Sequence, residues 1–569
     1  MMHVVVSVDE DTPLLPTGGL ACDLQEPNQC HNHTTVLHDG AFDANGLDIL
    51  SMEAMGFFSQ YIVVGFFCSF FPALSYPIYN VYLQMEGYQT ASYTVLISLG
   101  WSFKVVFGML TDCVAIFGYR RKSWMLIGWS LTMVSLTCLA MIPLGDPYCN
   151  REKTTYCSTP FDQVPASEMA YFNVDAPNQG TFFILVSMFT SVGDVTADCA
   201  ADAMMVEYAQ REPLATRGRV QTMAYLTRYL GGVFGLLLIA FGLNGANYNG
   251  SFSYSLTPNV AFGLCLVPCG LVCVSVACLV KERKASATPF HTWCSNFWSL
   301  LQKQVMWQIC AYRFLSYCFQ FMATTAQSPL ATYWAHVEPL NDSMAQIFGN
   351  LITASMFAVM GRYGLHWNWR WTIAIASISV VLVDGTVAFL TIWDVVRNQW
   401  FYTGVTLADN VPGGILFMVA SYCAVEIADV GNEGATYGLV TTVSNLATPF
   451  STVVYKYLDS FYAVSQDDIK SDSDNVRRDV TTVYVISYAF KLLALSWLWL
   501  LPPQKAQLQH LKRHGRTSRV AGVLLVSLFL ISLLFSIVSS LLAIYPSTKC
   551  FLLAGGIGDV GPDGFCHSY

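Results

Sequence analysis

The sequence predicts a polytopic, all-α membrane protein, and three observations carry that prediction. Of the 569 residues, 54% are hydrophobic and only 12% are charged, about half the charge of a soluble domain. The mean hydropathy is +0.44. Several apolar runs reach the length of about 18 residues that a helix needs to cross a bilayer. A soluble enzyme, a fibrous protein and a disordered chain are thereby excluded. An outer-membrane barrel is excluded too, because its strands alternate apolar and polar residues and give no such runs.

Thirteen apolar spans are expected, at 57–83, 91–111, 123–143, 180–206, 222–243, 258–280, 305–333, 345–361, 371–393, 404–427, 435–457, 481–501 and 519–545. The first carries Pro72 and Pro77, which permit kinks, and the fifth carries Gly231, Gly232 and Gly235, which permit close helix approach. The longest basic connection in the middle of the chain, 281–304, separates a half at 57–280 from a half at 305–501. A basic linker at 502–518 leads to the additional span 519–545 and a tail at 546–569.

The net charge of −9 is located in one place. Asp9, Glu10, Asp11, Asp23, Glu26, Asp39, Asp43, Asp48 and Glu53 fall before residue 61, a stretch without Lys or Arg, so the remainder is formally neutral. That balance argues against nucleic acid as a partner. Residues 1–56 read as an acidic, disordered tail without the basic region and cleavage site of a signal peptide. Glu10 with Leu14-Leu15 matches an acidic dileucine sorting pattern, a pointer to an internal membrane where the plasma membrane is otherwise expected.

Basic residues concentrate in cytoplasmic loops. With the N-terminus inside, seventeen Lys and Arg fall in inner segments, Arg120, Arg121, Lys122, Lys303, Arg516 and Arg519 among them, against eight in outer ones. The C-terminal tail is then outside. The sequons at Asn249 and Asn341 fall in outer loops, where glycosylation is expected, whereas Asn32 lies in the inner tail. Cys149 and Cys157 share an outer loop and Cys550 and Cys566 share the tail; each pair can form a disulfide or remain two thiols. No Cys/His cluster has metal-ligand spacing, and no Gly-rich phosphate loop follows a strand, so neither metal nor cofactor is expected. His291, His336, His366 and His510 sit in loops or at span edges and supply no nucleophile–base pair, so no enzyme activity is expected.

Charges inside the spans are the functional signal. An ionised side chain at the bilayer centre costs about 2.5–3.5 kcal/mol even on the lenient scale, so each needs a partner or a wet cavity. Asp194, Asp198 and Asp202 recur every four residues and form one slanting row on a helix face. At ~1.5 Å rise per residue, Asp202 lies about 6 Å and Asp198 about 12 Å from the inner boundary, while Arg228 and Lys104 lie about 9–10 Å deep. Arg313 and Lys491 are also intramembrane. Ion pairs that lock helices together account for any one of these residues; the whole set points to a cavity for a charged solute or a proton relay.

A short internal match supports a parallel repeat of six helices. Val206-Glu207-Tyr208-Ala209 and Gly218-Arg219-Val220-Gln221-Thr222 align with Val425-Glu426-Ile427-Ala428 and Gly438-Leu439-Val440-Thr441-Thr442. Gly108-Met109-Leu110-Thr111-Asp112, followed by Gly118-Tyr119-Arg120-Arg121-Lys122, resembles the loop signature of the major facilitator superfamily, with a longer spacing. Trp101-Ser102-Phe103-Lys104, Gly193-Asp194-Val195-Thr196-Ala197-Asp198, Arg228 before Gly231-Gly232, Glu426, Glu433-Gly434-Ala435-Thr436 and Asn445-Leu446 together resemble the folate–biopterin transporter family of that superfamily. The resemblance spans roughly 57–505.

The resemblance implies a major facilitator fold of two six-helix halves, here with a thirteenth C-terminal helix. It also implies secondary transport of folate, biopterin or a related charged metabolite, coupled to protons by alternating access. Lys104, Asp194, Asp198, Glu207 and Arg228 become the functional polar residues. A glutamyl carboxylate would suit Lys104, Arg228, Arg313 or Lys491; a pterin edge would suit Asp194, Asp198 and neighbouring Asp202; Trp101 would stack on its ring. Asp112, Arg120, Arg121, Glu207, Glu426 and Glu433 become gating residues. The expected partners are a small solute, a proton and the lipid bilayer, with the chain a monomer. The competing expectations are a carrier of an amino-acid or nucleoside derivative and a non-transporting receptor or scaffold.

Overall fold

The computed structural model describes residues 47–211, 219–284, 289–363, 367–427, 433–561 and 566. Every regular element among them is helical. Helix α1 (Met52–Ala73) starts ahead of the expected 57, because Ser51 caps it by accepting the Ala54 N–H at 3.1 Å. Pro72 lacks the donor an α-helix needs, and the chain continues as wider π-helical turns over Ser75–Tyr82. The hydroxyl of Tyr93 donates to the Phe71 carbonyl at 2.6 Å beside this irregular stretch.

The second span is broken at Phe103 into α2 (Gly87–Ser102) and α3 (Lys104–Cys113). Then come α4 (Lys122–Met141), α5 (Ala176–Arg211), α6 (Arg219–Gly242) and a sixth span split at Cys265 into α7 (Pro258–Leu264) and α8 (Leu266–Cys278). The 36 residues of α5 measure about 54 Å, well over a bilayer core of about 30 Å, so α5 projects beyond the membrane.

The central connection holds a helix that charge counting alone did not anticipate. Helix α9 (Phe290–Gln302) places Phe290, Trp293, Phe297 and Leu300-Leu301 at helical spacing. The second half follows as α10 (Gln304–Gln320), α11 (Gln327–Tyr333), α12 (Pro339–Tyr363), α13 (Trp369–Ile392), α14 (Gln399–Thr406), α15 (Asn410–Ile427) and α16 (Glu433–Asp459). A short α17 (Gln466–Ser471) precedes α18 (Asp474–Leu493), which runs on as a 3₁₀ helix to Leu500. The break between α10 and α11 is held by Asp459, whose carboxylate accepts the Thr325 N–H at 2.6 Å and the hydroxyls of Thr324 and Thr325 at 3.0 Å each. The basic linker forms α19 (Lys505–His514), and α20 (Arg519–Ile544) covers the additional span.

Packing repeats between the halves. In the first, α1 lies on α6, α2 on α5, and α4 on α5 and α8. In the second, α10 lies on α16, α12 on α15, and α13 on α15 and α18. Each contact pairs the same span numbers shifted by six, the pattern of a parallel repeat. The halves meet through α2 with α16 and α6 with α12, and α20 lies against both α2 and α16. Among the described residues, nine helices are long and apolar enough to cross a membrane, α20 the most apolar. That standard applies to the described residues alone, and side chains in stretches of α12, α15 and α16 lie outside them.

The tightest helix contact joins α1 to α6. A Cβ at Gly65 would lie 1.8 Å from the Arg228 carbonyl oxygen, and one at Gly231 would lie 1.9 Å from that of Ile62. No side chain fits there, whereas Gly270 on α8 has open space. Gly231→Leu is therefore expected to destabilise the purified protein by about 1–3 kcal/mol or more and to lower its melting temperature in detergent. Gly270→Leu, in the same assay, should melt with the parent.

Candidate functional site

The predicted charges of the first half converge. Lys104, the first residue after the helix break at Phe103, places its Nζ 2.9 Å from Asp198 Oδ2 and in direct contact with Asp202 Oδ2. Arg228 of α6 reaches the other oxygen of Asp198 at 3.4 Å. Asp198 is fully buried and bridges two cations from two helices in a low-dielectric interior, with Asp202 as the second partner of Lys104. The Trp101 ring lies 4.9 Å from both Lys104 Nζ and Arg228 Cζ, within cation–π range. Trp101 therefore serves the cations directly, beyond the solute-stacking role expected of it.

Asp194 stands apart within this row. It is 3% exposed, and its Oδ1 has no hydrogen-bond partner. The cluster as a whole counts three carboxylates against two cations, so one proton or one further cation balances it. Two residues that pattern reading missed complete the shell from α1. The hydroxyl of Tyr61 donates to Asp202 Oδ1 at 3.0 Å, and Arg228 Nη2 lies 3.2 Å from Cys68 Sγ. They sit seven positions apart on one face of an apolar span, where nothing in the sequence separates them from packing residues.

The second half contributes differently. Asn445 Nδ2 of α16 donates to the Trp101 carbonyl at 3.3 Å, the one hydrogen bond from that half to this cluster among the described residues. Arg313 is buried with its guanidinium 5.3 Å from the Tyr317 ring. A cavity of about 210 Å³ lies next to it, lined by Ser316, Tyr317, Gln320 and Ser377 among others and by no member of the charge cluster. Lys491 faces Asp384 at 3.9 Å and the Tyr488 ring at 5.4 Å, and Tyr488 donates to the same carboxylate at 2.9 Å. The described contacts of Arg313 and Lys491, with Tyr317, Asp384 and Tyr488, are within the second half. Asp384 was available to sequence reading as an acid inside a span.

The end of the molecule that carries the basic loops is tied by a second network. Arg121 pairs with Asp112 at 2.7 Å and with Glu207 at 3.3 Å, and donates to Thr111 Oγ1 at 2.8 Å. Arg120 lies 3.9 Å from Glu207. Glu282, which the motifs did not flag, accepts the backbone N–H groups of Arg120, Arg121 and Lys122 at 2.8–3.2 Å, while Lys122 Nζ caps the carbonyls of Ala277 and Val280. This binds α4 to the end of α8. The side chains of Glu426 and Glu433 lie outside the described residues, as do the dileucine pattern and Asn32.

At the opposite end both cysteine pairs, Cys149–Cys157 and Cys550–Cys566, are disulfide-bonded. Asn249 accepts from Arg151 at 3.2 Å. Asn341 is 4% exposed inside α12 and accepts from Thr403, so the fold has no room for a glycan on its amide. Here the halves are laced together. Asn80 donates to Thr332 Oγ1 at 2.7 Å, Gln466 Nε2 to the Met85 carbonyl at 2.7 Å, and the Gln466 N–H to Glu86 at 3.0 Å. Tyr76 reaches the Val337 carbonyl.

Burial pushes the Glu86 carboxyl up to about 7 from an ordinary 4.5; the Gln466 N–H and Lys470 oppose the rise, and Asp467 and Asp468 add to it. A carboxyl raised in the folded state costs stability once it ionises. The folded protein should therefore lose stability as pH climbs from about 4.5 to about 7 and change no further above. Glu86→Gln is expected to remove that slope, worth about 3 kcal/mol, in melting curves across pH. Asp472 behaves oppositely. Partial burial pulls its carboxyl up, but hydrogen bonds from Arg397 (2.6 Å) and Arg477 (2.9 Å) hold it at about 2. Its contribution is present above about pH 4 and should fade only as pH falls through about 2, a loss that Asp472→Asn abolishes in the same melts.

Residues 72–148 match the BT1 family. A folate-biopterin transporter of Synechocystis sp. is 23% identical over 479 residues, 81% of this chain and 83% of that protein. A protein of Arabidopsis thaliana named "Probable folate-biopterin transporter 4" is 25% identical over 172 residues, 30% of this chain and 28% of its own. In fold, the crystal structure of a D-xylose-proton symporter superposes with a TM-score of 0.54 at 13% identity, covering 79% of this chain and 98% of that one. By sequence the chain is thus similar to folate–biopterin transporters, and it shares the fold of that symporter.

Proposed function

We propose that this protein is a secondary transporter of folate, biopterin or a related anionic metabolite, coupled to protons. The observation that carries the proposal is the buried cluster of Lys104, Arg228, Asp194, Asp198 and Asp202, whose formal charge falls one short of neutral. An arriving carboxylate competes with Asp198 and Asp202 for Lys104 and Arg228. A displaced aspartate left ionised in the membrane interior would cost several kcal/mol, so it is neutralised by a proton. Anion and proton then cross together, and neither crosses cheaply alone. Asp194, without a cation in contact, is the position from which a proton exchanges at least cost.

The irregular turn at Phe103, whose N–H still reaches the Gly100 carbonyl at 3.1 Å, immediately precedes Lys104. With the basic end cytoplasmic, as the charge bias indicates, the lacing between Asn80, Thr332, Glu86 and Gln466 closes the outer face. Alternating access requires that lacing to open while the halves rock about the cluster. The names of the relatives supply the solute class, and the plasma membrane is the proposed location.

Uptake of labelled folate and biopterin into a transport-deficient host, at two external pH values, tests the proposal. Saturable uptake that rises at low pH is expected, and Asp198→Asn and Arg228→Gln should reduce it at least about tenfold at matched expression, because each leaves a buried charge unpaired. Asp194→Asn should keep solute exchange at equal concentrations on both sides while losing pH-driven accumulation. Absence of uptake of either compound by well-expressed protein would overturn the solute assignment.

A further inference from the structure

The basic end carries a charged surface that the transport reading leaves unused. Helix α9 and the stretch joining α19 to α20 are held side by side by backbone pairing. The Ser518 N–H donates to the Gln302 carbonyl at 2.9 Å, the Gln304 N–H to the Arg516 carbonyl at 2.8 Å, and the Arg516 N–H to Gln304 Oε1 at 2.9 Å. Lys303 and Thr517 form an isolated bridge between the two segments. This pairing fixes Arg516 beside the end of α9, with Arg513 and Arg519 three residues to either side, and all three arginines are exposed.

No carboxylate compensates them from within their own segments. There is no Asp or Glu from residue 480 to residue 558, nor from 283 to 337. Among the described acids at this end, Asp112 and Glu207 hold Arg121, Glu282 holds three backbone N–H groups, and Glu53 accepts from Tyr208 at 2.7 Å. The level of the surface is fixed independently. Along α9, Phe290 and Trp298 are exposed while Leu300 and Leu301 are buried, and Trp293 stacks on Phe297 at 4.9 Å. Trp293 also donates to Asp112 at 3.4 Å, which ties α9 to the end of α3. An amphipathic helix with exposed aromatic residues lies in the headgroup region. Directly behind it α20, the most apolar helix, enters the hydrocarbon.

We propose that the surface formed by α9, the 515–518 connection and the start of α20 docks anionic phospholipid headgroups of the adjoining leaflet, with Arg513, Arg516 and Arg519 as the binding residues. The planar guanidinium forks match the paired oxygens of a phosphodiester, and the aromatic residues of α9 set that phosphate at their height. Because α20 lies against both α2 and α16, a lipid held at its start sits on a helix that touches both halves. Lipid composition would then bear on how freely the halves rock.

Full-length protein in neutral detergent, titrated with phosphatidylserine or phosphatidylcholine and read by native mass spectrometry, tests this. Phosphatidylserine should be retained in preference to phosphatidylcholine, and raised salt should erase the preference. The combined variant Arg513→Gln, Arg516→Gln, Arg519→Gln should weaken retention of phosphatidylserine by about a hundredfold and leave phosphatidylcholine unchanged. Lys281→Gln with Lys284→Gln, on another connection at the same end, should have no such effect, which separates this surface from a diffuse positive charge. Inorganic phosphate at matched concentration should not compete. Equal retention of the two lipids, an unaltered preference in the triple variant, or displacement by inorganic phosphate would each overturn the proposal. Should the triple variant not fold, the single Arg516→Gln variant and the salt dependence of the parent decide the matter on their own.

Discussion

One carboxylate organises the first half of this molecule. Asp198 has no solvent exposure, yet it faces Lys104 from the broken second span and Arg228 from the fifth. Removing three charges from water is tolerable only if each finds its counterpart, and the geometry is strict because the interior supplies no substitute solvent. That requirement fixes the facing of α5, locates the break at Phe103 so that Lys104 can turn inward, and accounts for the absence of side chains where α1 and α6 cross. Gly65 abuts the backbone of Arg228 itself, so the close packing of those helices and the placement of the cation are one constraint.

The two halves repeat in packing and differ in chemistry. Shifted by six, the same pairs of spans touch, and the cross-contacts α2 with α16 and α6 with α12 follow the same symmetry. Among the described residues, the dense charge cluster lies in the first half. In the corresponding region the second half offers a buried Arg313 beside tyrosines, and a peripheral pair of Lys491 with Asp384. A repeat conserves backbone packing because every helix must bury a face. It need not conserve side chains, because those that do not pack are free to differ.

The ends of the helices are held by different means. At the basic end, charged groups pair across short distances, with Glu282 and Lys122 satisfying backbone groups that the ends of α4 and α8 leave open. At the opposite end the halves are joined by hydrogen bonds of Asn80, Glu86 and Gln466, while each disulfide lies within one loop or tail and constrains that segment alone.

How much of this was legible in the sequence follows from what each signal depends on. Span positions, the division into halves and the row Asp194, Asp198, Asp202 rest on local composition and helical spacing, and a membrane makes both decisive because backbone polar groups must be satisfied within each segment. The pairing of Lys104 and Arg228 with that row was foreshadowed by their shared depth. What the one-dimensional pattern could not hold is which faces meet. Tyr61 and Cys68 read as packing residues until α1 is laid against α5 and α6. Arg313 and Lys491 read as equals of Arg228 until their helices are seen to face elsewhere, and Asn341 reads as an exposed sequon until Thr403 closes over it. Helix α9 is amphipathic only against a surface. The sequence by itself thus determined the architecture and the charges that must be buried; only the tertiary structure decided which of them share one interior, because that depends on contacts between segments far apart in the chain.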